Sequence, residues 1–229
     1  MKKEKNKLDH LSKSSIKSYE YCPFCWFLSK VEGLDLDDYN GGIALKRGNN
    51  MHDELHEYVV KGHAPRIFTE QVAFVKSVLD KMGKYKIVQS EKRIEASHMD
   101  MKIVGYIDIV VEAGNKIVIF DYKSGKDRGL QNHMFELALY HWLLLETSGI
   151  TATHWGIIFP DQHKVYVDKA NLKEVDKALA KAYQCWLDIH DWKFERNRRC
   201  WRCRSDKRVQ ALWDMYEPKI NEERRMRLL

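Results

Sequence analysis

Residues 105–126 read GYIDIVVEAGNKIVIFDYKSGK, and the reading of the whole chain turns on them. Ile103, Gly105, Ile107, Ile109 and Val111 alternate with Val104, Tyr106, Asp108 and Val110, which is the period of a strand. KIVIFDYK, from Lys116 to Lys123, is a second β-rich run, and Ala113-Gly114-Asn115 between the two is hairpin chemistry. The two-residue period puts Asp121 and Lys123 on one face, with Asp108 on the neighbouring strand. Two carboxylates and an amine on an otherwise apolar sheet need partners, because unpaired buried charge is costly. A salt-bridged Asp–Lys pair at a strand end is one solution. The other is a divalent cation held by the carboxylates, with the lysine acting on a water or on developing negative charge.

Outward from this hairpin, helical and strand patterns alternate. Ser12 or Ser14 can cap a helix running to about Val31, which Pro23 disturbs. Leu34 to Asn40 reads as an acidic loop, and a second helix opens at Gly48, with His52, Leu55, His56 and Val59 on one face. A third helix is expected over Thr69–Met82, then a strand over Lys86–Ala96 that carries Glu91, Arg93 and Glu95 on one side. Gln131–Thr147 is apolar nearly all round, the mark of a buried helix. Two further strands begin at Thr153 and Lys164, and Asn171 caps a long helix reaching about Trp192. Cys185 lies beside the apolar stripe of that helix as a buried thiol.

The chain has 229 residues, 44% of them hydrophobic, enough for one large domain with a sizeable core. No apolar run of membrane-spanning length occurs, and MKKEKNKLDHLSK at the N-terminus lacks the apolar stretch of a secretory signal. No membrane association and a cytoplasmic setting are therefore expected. Residues 193–229 hold 12 of the Lys and Arg residues against 6 acids, so they carry the equivalent of the whole net charge of +6. Such a basic segment suits a phosphate backbone; a solvated basic helix is the alternative.

Gly105-Tyr-Ile-Asp108 followed by Asp121-Tyr-Lys123-Ser-Gly125 resembles the core motif of the PD-(D/E)XK nucleases, most closely their RecB-like branch. Gly48, His52 and Leu55 resemble the G-x-x-x-H-x-x-[LF] of that branch, and LSKSSIKSYEYCPFCWFLSK resembles its entry when a cysteine cluster is present. The resemblance runs from about Ser12 to Cys203. It implies an α/β, restriction-endonuclease-like fold: a mixed central sheet flanked by helices. It implies that His52, Asp108, Asp121 and the carbonyl of Tyr122 bind Mg²⁺ or Mn²⁺, with Lys123 as the catalytic amine. Glu91 occupies roughly the place of an acidic residue of the branch; an exposed strand charge is the other reading. The family's Q-x-x-x-Y is here Glu136-Leu-Ala-Leu-Tyr140, a carboxylate in place of an amide, with Gln131 an alternative at different spacing. His52-Asp-Glu-Leu-His56 is a near miss for HExxH, since Asp53 stands where that motif needs Glu.

Cys22-x-x-Cys25 and Cys200-x-x-Cys203 suggest a tetrathiolate metal site that staples the two ends of the chain. The resemblance, to CRISPR-associated RecB-like and AddB-type nucleases, implies a four-iron four-sulfur cluster. That pattern has a third late cysteine where this chain has Val209, and the two-plus-two arrangement keeps zinc open. The activity implied is a metal-dependent deoxyribonuclease, an exonuclease or end-processing enzyme. Arg199, Trp201 and Arg202, in the basic segment, are candidates to hold and stack single-stranded or free-ended DNA, and Tyr140 to pack beside the site or touch DNA. The alternatives are a non-catalytic DNA-binding adaptor on a nuclease-like core, or a CRISPR spacer-processing nuclease with an integrase partner. Recombination and repair partners belong to the same branch.

Overall fold

The computed structural model describes residues 9–36 and 39–227. The polar lead-in at 1–8, two positions of the acidic loop (37–38) and the last two residues lie outside them. Among the described residues the helices are α1 (Lys13–Tyr21), α2 (Pro23–Lys30), α3 (Tyr39–Lys61), α4 (Thr69–Asp80), α5 (Met134–Ser148), α6 (Leu172–His190), α7 (Trp201–Ser205) and α8 (Lys207–Arg227). The strands are β1 (Leu11–Ser12), β2 (Tyr85–His98), β3 (Met101–Ala113), β4 (Lys116–Tyr122), β5 (His154–Phe159) and β6 (Lys164–Lys169). The sheet runs β1-β3-β4-β5-β6, with β2 also paired to β3. The fold is α/β, a mixed central sheet flanked by helices. Cα packing divides the chain into two compact units, residues 38–96 with 104–178, and residues 1–37 with 97–103 and 179–229.

In the first of these units the hairpin forms as its sequence dictates. Gly114 takes φ +58° in the turn, and β3 and β4 pair antiparallel from Ala113–Lys116 to Ile109–Phe120. β4 and β5 pair parallel, from Val118–His154 to Tyr122–Ile158, which requires a crossover, supplied by α5. Met51 and Leu55 of α3 and Val72, Val75 and Leu79 of α4 pack on Ile109, Val111, Phe120 and Tyr122 of the sheet. Two glycines allow close approach elsewhere. A Cβ on Gly156 would lie 2.5 Å from the Phe120 ring, and one on Gly105 would lie 2.8 Å from Leu143 and 3.2 Å from Tyr140.

The other unit is built on aromatic rings. Phe27 packs on Phe194 at 4.9 Å and on Tyr216 at 5.5 Å, and Phe24 meets Trp213 edge-on at 4.8 Å. The Tyr19 hydroxyl donates to the Lys193 carbonyl at 2.6 Å, and Trp26 Nε1 to Ser15 Oγ at 2.9 Å. Sequence and structure differ here at the first helix. The expected single helix to Val31 is two, because Cys22 is extended (φ −159°) ahead of Pro23, while Ser12 caps the first as expected. Most of the basic segment is helical, as α7 and α8, and it is tied down: Arg224 pairs with Glu195 at 2.8 Å, and Tyr216 donates to Glu32 at 2.8 Å. In the sheet-bearing unit α3 begins at Tyr39, well before Gly48, because the helix-forming run Ala44 to Arg47 carries the turn pattern back past the glycines.

Candidate active site and cysteine centre

The β3–β4 ladder ends at Ile109–Phe120, and the site opens just beyond it. There the Asp108 carboxylate accepts the Tyr122 N–H at 2.5 Å through Oδ2. Its other oxygen, Oδ1, lies 3.5 Å from His52 Nδ1. His52 reaches in from α3, one turn after Gly48, whose own neighbour is Ser124: a Cβ on Gly48 would stand 3.1 Å from Ser124 Oγ. The His52 ring meets the buried Tyr122 ring edge-on at 5.8 Å. Glu91 completes the group, with Oε1 3.2 Å from His52 Nδ1. Its backbone is at φ +47° in the middle of β2, a left-handed residue that breaks strand alternation. Ser90 and Glu91 therefore both turn toward α3: Ser90 Oγ donates to the Asp108 carbonyl at 2.9 Å and lies 3.0 Å from His56 Nδ1. Holding a glutamate there costs about 1–3 kcal/mol, a strain found at functional sites.

Burial works against the His52 imidazolium, but hydrogen bonds and charge from Asp108 and Glu91 outweigh it and raise the pKa to about 10. Together His52, Glu91 and Asp108 offer ligand atoms within 4.8 Å of one another. One imidazole and two carboxylates form a hard donor set that fits Mg²⁺ or Mn²⁺.

Asp121, expected as a further ligand, is not part of this group; it is fully buried, and Lys123 Nζ lies 2.6 Å from its Oδ2 and 2.6 Å from Glu136 Oε2. The Asp–Lys ion pair foreseen as the simpler reading is thus present, but it is one arm of a bridge whose other end is Glu136. That contact gives the Glu136 carboxylate its counter-charge, the lysine ammonium. Tyr140 is buried, packed under Gly105. Gln131 is exposed on a short 3₁₀ turn (Leu130–His133), bordering a cleft with Asp168 and Lys169. Beyond Lys123, Asp127 accepts from Lys164 Nζ at 2.9 Å, Tyr166 Oη at 2.7 Å and the Gly129 N–H at 2.8 Å, and these bonds hold its pKa down at about 2. Sequence reading left two features unresolved. A positive φ at Glu91 has no signature in composition, and the Lys123–Glu136 contact joins residues that only the crossover brings together.

In the aromatic unit Cys22, Cys25, Cys200 and Cys203 converge, all buried, and their sulfurs lie within 4.8 Å of one another. Such a group fits a thiophilic metal or a cluster. Burial lifts the thiol pKa of Cys185, which stands outside this group, to about 12. Val209 is fully buried in α8. Arg199 is exposed, and the Arg202 guanidinium lies 5.4 Å from the centre of the half-exposed Trp201 ring.

Comparison with known proteins follows the same lines. Residues 62–208 match the family model of the PD-(D/E)XK nuclease superfamily, and the chain belongs to that superfamily. The match begins after His52, Cys22 and Cys25. Among solved structures, a “Putative exonuclease” from Eubacterium rectale is 12% identical, with a TM-score of 0.54 over 87% of this chain and 88% of its own. It shares the fold. The protein SSO0001 is 17% identical over 79% of this chain and 77% of its own, at a TM-score of 0.43. No curated protein sequence matches. No helix among the described residues is long and apolar enough to cross a membrane.

Proposed function

We propose that this chain is a divalent-metal-dependent deoxyribonuclease of the RecB-like branch, cytoplasmic, with both units forming one nuclease domain that processes DNA from its ends. The observation that supports it most is the meeting of Asp108, His52 and Glu91 at the open end of the hairpin, beside the Asp121–Lys123–Glu136 bridge. His52, Asp108, Asp121 and the Tyr122 carbonyl would hold Mg²⁺ or Mn²⁺, with Glu91 next to them. A bound ion supplies Lewis acidity toward a phosphoryl oxygen and lowers the pKa of a water. Asp121 and Glu136 hold the Lys123 ammonium in place, where it donates to the attacking water or to the phosphate. Glu91 fixes the imidazole of His52, and the Tyr122 N–H fixes the carboxylate of Asp108. Arg199 and Arg202 suit phosphate contacts and Trp201 a stacked base, and Tyr140 packs beside the site in this reading, whereas Gln131 lines the cleft with Asp168 and Lys169 instead. The cysteines form a structural metal centre, iron–sulfur by resemblance and zinc by their two-plus-two pairing. A narrower form of the reading is a spacer-processing nuclease with an integrase partner, recognised by co-purification of that partner.

One observation favours a DNA-binding module that does not cut: Lys123 is already engaged by two carboxylates. The discriminating experiment is cleavage of end-labelled linear and circular DNA, single- and double-stranded, with Mn²⁺, Mg²⁺ or EDTA. Metal-dependent cutting of linear DNA that drops about 10³-fold in Lys123→Ala is the expected result. Salt-sensitive binding without cutting, unchanged by Lys123→Ala, would establish the module instead.

A further inference from the structure

Cys22 stands at the N-cap of α2 with Cys25 one turn in, and Cys200 stands at the N-cap of α7 with Cys203 one turn in. Each pair therefore delivers two sulfurs from a single helical turn. The four sulfurs are nearly in contact: Cys22 to Cys203 is 3.4 Å, Cys25 to Cys203 is 3.6 Å and Cys25 to Cys200 is 3.7 Å. A single tetrahedral ion with metal–sulfur bonds of about 2.3 Å sets its ligands roughly 3.8 Å apart along each edge of the tetrahedron. These three of the six edges lie just inside that value, and all four sulfurs lie within 4.8 Å of one another. A four-iron cubane is a different object. It binds each cysteine at a separate iron, with the other irons and the inorganic sulfides lying between, so its cysteine sulfurs cannot touch.

We propose that Cys22, Cys25, Cys200 and Cys203 hold one tetrahedral zinc ion and no iron–sulfur cluster. The proposal rests on the reading of these cysteines as a metal centre and is independent of whether the chain cuts DNA. The donor count agrees with it. The position of the third late cysteine in the iron–sulfur pattern is Val209, buried in α8, so the ligands come as two helix-start pairs. Four protein ligands leave no open coordination position, which makes the ion structural. It fastens α2 to α7 across a sequence separation of 175 residues between Cys25 and Cys200. Zinc has no accessible redox change, so the ion itself takes no part in electron transfer.

The test is made on the full-length protein, expressed with iron and zinc both supplied and purified without oxygen. Metal content, acid-labile sulfide and the visible spectrum are then measured. About one zinc per chain, no sulfide and no visible absorption is the expected result. Four irons with sulfide, one iron without sulfide, or metal-free cysteines would each overturn the proposal. Wild-type protein exchanged with cobalt(II) gives a second readout that does not depend on the folding of a cysteine variant. Intense visible bands of tetrahedral cobalt thiolate are expected, and the weak spectrum of octahedral cobalt would count against the site. DNA cleavage by the same preparation separates the two ideas: a zinc-loaded protein that never cuts DNA removes the nuclease reading alone.

Discussion

The cysteine centre and the hairpin site gather ligand groups by different routes. The cysteines come as two copies of one local device, a helix start with sulfurs at its cap and one turn in, and they meet in the unit built on aromatic rings. The hairpin site takes one side chain from each of several elements: His52 from α3, Glu91 from a left-handed position in β2, Asp108 from β3, Asp121 from β4 and Glu136 from α5. Its donors are oxygen and nitrogen, and His52, Glu91 and Lys123 keep part of their surface in solvent. Four soft, buried ligands close around an ion, whereas a hard, half-open set leaves room for a substrate. The contrast separates holding the chain together from acting on something else.

The largest effect that would break or sharpen this contrast is expected from Asp121→Asn set against Cys203→Ser. Asp121→Asn should lower cleavage by about 10³-fold while metal content at the cysteines stays unchanged. Cys203→Ser should release that metal and destabilise its unit by about 4 kcal/mol, read as a lower Tm, with residual activity following the folded fraction. If Cys203→Ser abolished cleavage in a protein that still melts like wild type, the division between structural and acting centres would fail.

Glu136 provides the next test. Glu136→Gln keeps a hydrogen-bond acceptor for Lys123, so cleavage should stay within about 10-fold of wild type, whereas Glu136→Ala should lose about 10²-fold. Equal losses would show that holding Lys123 is not its contribution. Glu91 should show a trade between stability and function. Glu91→Gly removes the left-handed strain, so Tm should hold or rise by the equivalent of about 1 kcal/mol, while Mn²⁺ affinity, measured by calorimetry, should fall about 10-fold. A clear drop in Tm would mean that the backbone at Glu91 is not strained.

The smallest effect should come from Asp127, which ties the loop after Lys123 to β6. Its folded pKa, about 2, is below the usual carboxylate value. Its stabilising bonds are therefore complete above the unfolded-state pKa of about 4 and are lost as pH falls through the folded value. The Tm difference between wild type and Asp127→Asn should be present at neutral pH and shrink steadily below about pH 4. A difference independent of pH would show that these bonds do not depend on the charge.

Much of this was written locally. Alternation and the Gly114-Asn115 turn specify β3 and β4 because each strand's period and the turn's left-handed glycine are short-range properties. The buried α5 and the capped α6 follow from their apolar patterns, and Asp108, Asp121 and Lys123 could be singled out because charge inside an apolar run stands out. Helix boundaries were less legible: Cys22 and Pro23 divide one expected helix, and α3 runs back to Tyr39. By itself, then, the sequence determined the hairpin, its charged residues and the two cysteine pairs. Tertiary structure alone decided that Glu91 turns inward, that Lys123 is shared by Asp121 and Glu136, and that four sulfurs close to within one ion's reach. The physical reason is range. Period and turn chemistry act over a few residues, whereas an inward-turned strand residue, a shared counter-charge and a group of four sulfurs depend on distances between segments that only the packed chain sets.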